Sequence, residues 1–168
     1  MVKKLPTTIS EEDFIQIIKK TKSEKHKIAF LLGFGAGLRV SEVLKVEPRH
    51  INWIRKTIFV EQGKGKKDRI VPLPKGLKQK HINLFPLGIT PRALQFAFKR
   101  AAEKSGILKI KPDAHFHSLR HGFGSNCANK GIPIHQIRTL MGHSNISTTN
   151  VYLELNPKEA LKSYEELF

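Results

Sequence analysis

The stretch that decides the fold is His117-Ser118-Leu119-Arg120-His121, which is followed by Gly142-His143-Ser144 and then by Tyr152. His117 and Arg120 are three residues apart, so a helix places both side chains on one face. Guanidinium groups bind phosphate oxygens, and a phenol becomes a nucleophile where cationic neighbours or a base activate it. The pattern therefore predicts chemistry on a phosphodiester as well as binding to one.

The composition predicts a polyanionic partner. The 168 residues include 30 lysines and arginines against 14 aspartates and glutamates, which gives a formal net charge of +16. Each phosphate that such a chain neutralises releases a condensed counterion, so nucleic acid is the favoured partner. The alternatives are an anionic membrane surface and a solvated basic surface without a specific partner.

The remaining composition narrows the class of protein. The length and an apolar content of 39% suit one domain with its own core. No apolar run is long enough to cross a membrane and no signal-peptide pattern is present, so we expect no membrane partner and a cytoplasmic location, associated with the nucleoid if the source is prokaryotic. The single cysteine, Cys127, excludes an internal disulfide and suits a reducing compartment.

The order of predicted elements is helices, a small sheet, and then helices again. Ser10 precedes three acidic residues and is a typical helix N-cap. Further helices are expected over residues 25–36 and 41–44, and strands over residues 51–54, 57–60 and 69–73, with a basic turn at 63–68. Later helices are expected over residues 93–106, 119–129, 134–141, 147–155 and 157–168. We predict a mainly helical α+β domain, with helices around a small three-stranded antiparallel sheet.

Arg39 is the first candidate for binding a phosphate. It lies in Gly37-Leu38-Arg39-Val40-Ser41-Glu42, just after an apolar helix, where a guanidinium can be held in place. Glu42 is placed to orient it. The alternative is a surface arginine that only pairs with Glu42.

The turn between the second and third strands supplies further cations. Lys64 can protonate a leaving oxygen if its pKa is lowered. The alternative is a simple phosphate contact, which we expect Lys66, Lys67 and Arg69 to make in any case.

The histidines have two interpretations. His117 and His121 stand four residues apart, which also suits a zinc site, but neither Cys127 nor a nearby acid completes a recognised ligand pattern. We therefore expect no metal, and we assign His121 to DNA binding. His143 can donate to a phosphate oxygen, although a lone histidine at such a turn is more often structural.

Tyr152 is the candidate nucleophile. A free phenol has a pKa near 10, so it needs cationic neighbours or a base. The alternative is a half-buried core tyrosine. Tyr164, the other tyrosine, lies among acidic residues that would repel DNA and raise a phenol's pKa.

The series resembles the catalytic domain of the tyrosine recombinase/integrase family, which includes phage integrases and Xer recombinases. The similarity rests on five motifs in order, each weak alone but specific together. The five motifs are Gly37-Leu38-Arg39-Val40-Ser41-Glu42, Gly63-Lys64-Gly65-Lys66-Lys67-Asp68-Arg69, His117-Ser118-Leu119-Arg120-His121, Leu140-Met141-Gly142-His143-Ser144, and Thr148-Thr149 with Tyr152.

The resemblance implies a role for each matching position. Arg39 and Arg120 would clamp the scissile phosphate, with Glu42 in support. His143 would bind a non-bridging oxygen and His117 would help to manage the tyrosine proton.

In the implied reaction, Tyr152 attacks the phosphate to give a 3′-phosphotyrosyl link while Lys64 protonates the leaving 5′ oxygen. A 5′ hydroxyl from another strand then reverses the step. The link stores the bond energy, so the resemblance implies that no metal, ATP or other cofactor is needed.

The sequence also departs from the family pattern. Family chains usually carry a helical core-binding domain before this part, so we expect residues 1–168 to be a single catalytic domain that lacks it, either as a fragment or as a small relative. Gly122 stands where a hydroxyl residue is common, and the segment 76–88 looks short, so we expect a trimmed helix there.

We therefore predict the catalytic domain of a site-specific DNA recombinase or integrase that acts on double-stranded DNA. The alternatives are a DNA-binding module without chemistry and a type IB topoisomerase-like enzyme, which would rejoin the same ends and relax supercoils. Residues 157–168 are a candidate for self-association. The target sequence, the oligomeric state and delivery of Tyr152 to its own or a neighbouring site stay open.

Overall fold

Seven α-helices and three short strands make up the described part of the chain, residues 5–61 and 68–142 of a computed structural model. The helices are α1 (Glu11–Lys20), α2 (Glu24–Ala36), α3 (Val40–Val43), α4 (Pro91–Lys104), α5 (Ile107–Ile110), α6 (Phe116–Asn129) and α7 (Ile134–Met141). The strands are β1 (Ile51–Asn52), β2 (Thr57–Val60) and β3 (Arg69–Pro72), and 3-10 helices cover Pro48–His50 and Gln79–Leu84.

The three strands form one antiparallel sheet in the order β1-β2-β3. Ile58 pairs with Val71, and both side chains are buried. The next pair, Phe59 and Ile70, points to the opposite face and is 39% and 58% exposed. Period-2 alternation thus gives the sheet one core face and one open face. The predicted fold class is confirmed.

The core is centred on α2, which is apolar on nearly every side. Its Phe30 is fully buried and lies 5.6 Å from Phe98 of α4 and 6.1 Å from Phe116 of α6, between ring centroids. A smaller cluster, including Phe123 and Met141, joins α6 to α7. Burial against α4, α6 and the sheet therefore holds α2 in the interior.

Hydrogen bonds between residues close in the sequence determine where α1 begins and where β1 ends. Ser10 is the N-cap of α1, as predicted, and the structure adds a reciprocal hydrogen bond from the Ser10 N–H to the Asp13 side chain, which completes a capping box. Strand β1 ends at Asn52, two residues earlier than expected, because the Asn52 Oδ1 accepts the Arg55 N–H at 2.9 Å and turns the chain.

Helix α6 begins at Phe116, three residues before the predicted start. Its first turn is closed by the Ser118 Oγ, which accepts the His115 N–H at 3.2 Å, and Phe116 is buried. His117 therefore lies in the first turn of the helix that carries Arg120.

The segment before α1 crosses α6 closely. The Ile9 N–H donates to the Ser118 carbonyl at 3.3 Å, and a Cβ at Gly122 would lie 2.3 Å from the Ile9 carbonyl oxygen. This contact explains why glycine occupies position 122: any side chain there would push the N-terminal segment off the helix.

The predicted helices at 147–155 and 157–168 and the turn residues 63–67 lie outside the described residues. The segment 76–88, expected to hold a trimmed helix, contains the 3-10 helix Gln79–Leu84. Within residues 5–61 and 68–142, no helix is long and apolar enough to span a membrane.

Candidate active site

Arg39 is held at the junction between α2 and α3. Helix α2 ends at Gly37, whose left-handed φ of 66° turns the chain, and Arg39 is the N-cap residue of α3. The Glu42 carboxylate accepts the Arg39 N–H at 2.8 Å and its Nη1 at 3.1 Å. The Arg39 side chain is 31% exposed, so its guanidinium is oriented and still open to solvent.

Glu42 is a buried carboxylate surrounded by arginines. Arg69 donates to both of its oxygens at 2.8 Å, and Nη1 of Arg120 lies 3.9 Å from Oε2. Burial alone would raise the pKa of this carboxyl, but hydrogen bonds from Arg69 and the Arg39 backbone, with the charges of Arg69 and Arg39, lower the pKa to about 2. Glu42 therefore stays ionised and ties the arginines together.

Arg69 does not lie where a DNA-binding residue was expected. Its side chain is 5% exposed, and its Nε donates to the Leu140 carbonyl at 2.8 Å while both Nη atoms donate to Glu42. The reason is strand alternation, because Arg69 shares the inward face of β3 with Val71. That alternation was visible in the sequence and could have identified Arg69 as an interior residue.

Arg120 is the largest fully buried side chain of the described core, at 1% exposure. Its Nη1 donates to the Gly37 carbonyl and its Nη2 to the Met141 carbonyl. Arg120 therefore joins the C-terminal ends of α2 and α7 to α6. The two arginines predicted to clamp a phosphate thus lie around one carboxylate, Glu42.

His117 faces this cluster with a neutral ring. Burial, followed by the positive charges of Arg120, His115 and Arg39, lowers its pKa from 6.5 to about 4. The rings of His117 and His121 meet edge to face with centroids 4.7 Å apart. The neutral ring can accept a hydrogen bond, while the positive charges around it disfavour its protonation. Within residues 5–61 and 68–142, no group of three His, Cys, Asp or Glu side chains is placed to hold a metal ion.

The end of α7 completes the described site. Gly142 ends this helix with a left-handed φ of 63°, and a Cβ there would lie 3.1 Å from the Cδ of Arg69. The next residue in the sequence is His143. The predicted site residues Lys64, Lys66, Lys67, His143 and Tyr152 lie outside the described residues.

The structure thus brings together four predicted residues, Arg39, Glu42, His117 and Arg120, with His121 beside His117. It adds Arg69 and backbone carbonyls of α2 and α7 as supporting groups. Sequence patterns do not reveal the carbonyls, because they become acceptors only when the helix ends meet.

Comparison with known proteins assigns the family. The model of the phage integrase family matches residues 7–159, and the chain belongs to that family.

A tyrosine recombinase of Thermosipho africanus is 32% identical over 178 residues, which cover 98% of this chain and 63% of that protein. The chain therefore spans less than two thirds of the length of this relative.

Solved structures share the fold. The catalytic domain of bacteriophage HP1 integrase has a TM-score of 0.70 and 20% identity, over 95% of this chain and 94% of that one. The XerH site-specific recombinase bound to its palindromic difH substrate, in a post-cleavage complex, has a TM-score of 0.74 and 20% identity, over 96% of this chain and 53% of that one. The fold is that of a tyrosine recombinase catalytic domain.

Proposed function

We propose that this chain is the catalytic domain of a site-specific tyrosine recombinase, which cleaves and rejoins DNA strands through a 3′-phosphotyrosyl intermediate. The observation that carries the proposal is the grouping of Arg39 and Arg120 around Glu42, beside the neutral His117, in a member of the phage integrase family. A carboxylate that fixes guanidinium groups in advance suits a reaction in which negative charge develops on phosphate oxygens.

In this mechanism Arg39 binds the non-bridging oxygens of the scissile phosphate. Its guanidinium is partly exposed, and Glu42 holds it before substrate arrives, so little reorganisation accompanies charge development. Arg120 adds a second positive charge behind it and fixes the helix ends that frame the site.

The bond changes balance without a cofactor. The Tyr152 oxygen forms a bond to phosphorus and the bond from phosphorus to the 5′ oxygen breaks. His117, neutral before DNA binds, accepts the phenol proton when the negative charge of the bound phosphate offsets the nearby arginines, and Lys64 supplies a proton to the leaving 5′ oxygen. Because one phosphodiester replaces another, a 5′ hydroxyl reverses the step with neither metal nor ATP.

Double-stranded DNA is the proposed partner. The net charge of +16 favours a polyanion, and the XerH relative is bound to a DNA substrate in its solved complex. A cytoplasmic location associated with the nucleoid, and self-association through residues 157–168, belong to the same proposal.

Covalent trapping tests the proposal. The full chain is incubated with a pool of nicked suicide duplexes whose central sequence is randomised, and denaturing gels reveal protein joined to DNA. We expect wild type to form a covalent complex and Tyr152→Phe to form none while it still binds duplex. Sequencing the trapped strands would give the target, and a folded wild type that traps no duplex would contradict the proposed function.

A bridging phosphorothiolate separates the role of Lys64 from that of Tyr152. A 5′ thiolate leaves without a proton donor, so Lys64→Ala should cleave this substrate at nearly the wild-type rate but cleave the normal diester slowly. Tyr152→Phe should cleave neither. Equal defects of Lys64→Ala on the two substrates would remove the leaving-group role. Exchange of strands between two labelled duplexes, rather than relaxation of supercoils alone, separates recombination from topoisomerase activity.

A further inference from the structure

Arg69 connects three parts of the site. It begins strand β3, it pairs with Glu42 of α3, and it donates to the Leu140 carbonyl in α7. These contacts join Arg69 to two residues that are distant in the sequence, with separations of 27 positions for Glu42 and 71 positions for Leu140.

We propose that Arg69 is a positioning residue for strand cleavage, which acts through Glu42 and through the end of α7 and does not contact DNA. The inference deepens the proposed function and rests on it.

Arg69 fixes the orientation of the Glu42 carboxylate. Two parallel hydrogen bonds from Arg69, each 2.8 Å long, fix the plane of the carboxylate as well as its position. In that orientation Oε1 receives Arg39 Nη1 and Oε2 receives the Arg39 N–H. Without Arg69 the carboxylate can rotate, and Arg39 then loses its fixed direction towards the phosphate.

Arg69 also holds the C-terminal end of α7. The Nε of Arg69 holds the Leu140 carbonyl, and the Arg69 side chain lies against Gly142, where an added Cβ would be 3.1 Å from Cδ and 3.2 Å from Nη1. Gly142 directly precedes His143 in the sequence. Arg69 therefore fixes the backbone from which a proposed phosphate-binding histidine continues.

The burial of Arg69 separates this positioning role from direct binding of DNA. With a side chain 5% exposed and Nε, Nη1 and Nη2 all engaged within the protein, Arg69 has no face turned to a ligand. Lysine cannot reproduce the arrangement, because one ammonium does not span both Glu42 oxygens and a carbonyl in fixed directions.

The test compares affinity with cleavage rate. Arg69→Met and the control Arg100→Met, which removes a charge from an exposed position of α4, are measured for binding to mixed-sequence duplex over a range of salt. Cleavage is measured on the trapped duplex at saturating protein. We expect Arg69→Met to bind like Arg100→Met but to cleave about 100-fold more slowly, the scale of a small misplacement of a reacting group.

A double variant tests the route through Glu42. If Arg69 acts through Glu42, then Glu42→Gln/Arg69→Met should cleave no more slowly than the slower single variant. Cleavage defects that add in the double variant would instead show that Arg69 does not act through Glu42. If Arg69→Met fails to fold, Arg69→Lys carries the same comparison, with slow cleavage expected despite its retained charge.

Two results would overturn the proposal. Cleavage by a folded Arg69 variant at the wild-type rate would remove the positioning role. Weaker binding by Arg69→Met than by Arg100→Met, with a salt slope reduced by about 1, would make Arg69 a phosphate contact. The salt dependence of binding shows whether Arg69 contacts a phosphate even if the wild-type protein cleaves no duplex. Absence of cleavage by the wild-type protein would instead count against the proposed function.

Discussion

Arg69 and Glu42 form a two-pronged ion pair inside the protein, with Nη1 to Oε1 and Nη2 to Oε2 both at 2.8 Å. The pair joins β3 to α3 and lies beneath the more exposed Arg39. Buried ion pairs are tolerated where each charge is matched and its hydrogen bonds are satisfied. Here the residues that neutralise each other in the interior, Arg69 and Glu42, are also residues that the proposed cleavage reaction needs.

Glu42→Gln should destabilise the fold strongly. The substitution keeps the shape but leaves buried Arg69 without a counter-charge, which typically costs about 3–5 kcal/mol. Urea unfolding of wild type and variant measures the difference. Glu47→Gln is the control, because the pair of Glu47 with Arg49 is exposed and its loss should change the free energy of unfolding far less. Similar losses for the two variants would show that the Glu42 cluster carries no special stability.

Acid should destabilise the protein in two ranges of pH. The pKa of His117 is about 4 in the folded protein against 6.5 ordinarily, so its neutral form contributes stability that is lost as pH falls from 6.5 towards 4. The pKa of Glu42 is about 2 against 4.5, so its contribution is lost as pH falls from 4.5 towards 2.

Urea unfolding at a series of pH values checks the assignment. His117→Asn should flatten the dependence between pH 6.5 and 4 relative to wild type. Part of the slope should persist, because burial also lowers the pKa of His26. An unchanged slope in His117→Asn would mean that this ring is not buried in its neutral form.

The sequence predicted those parts of the molecule that depend on local signals. Ser10 with its acidic first turn gave the start of α1, and alternating β-branched residues gave β2 at its observed bounds. The start of α6 was missed because capping by Ser118 and burial of Phe116 depend on contacts outside the hydrophobic repeat.

For the site, ordered motifs identified Arg39, Glu42, His117 and Arg120 as neighbours. They did not identify the interior position of Arg69, because it directly follows the cations of the basic turn at 63–68. Its partners lie 27 and 71 residues away, and pairing over such distances depends on how α3, β3 and α7 pack.

Gly122→Ala should destabilise the contact between α6 and the N-terminal segment. The new methyl would lie 2.3 Å from the Ile9 carbonyl oxygen, so backbone must move, at a typical cost of about 1–3 kcal/mol. Thermal or urea unfolding measures the change. Gly33→Ala, whose methyl would meet the Phe116 ring at 3.2 Å, is the comparison, because a side chain can shift more easily than backbone. Equal or smaller loss at Gly122 would contradict the close crossing.

Arg120→Lys should impair both stability and cleavage although it keeps the positive charge. Arg120 donates from two nitrogens to the carbonyls of Gly37 and Met141, and one ammonium on a flexible stem cannot satisfy both in the same directions. A buried carbonyl left without its donor costs about 1–3 kcal/mol, which urea unfolding can measure.

Cleavage of the trapped duplex by Arg120→Lys should fall by more than this loss of stability explains, because the chain continues from the end of α2 to Arg39 and from the end of α7 to His143. Arg100→Lys, on the exposed face of α4, should change neither quantity. Wild-type stability and cleavage in Arg120→Lys would show that charge alone, and not the bridge between the two helix ends, is what this position supplies.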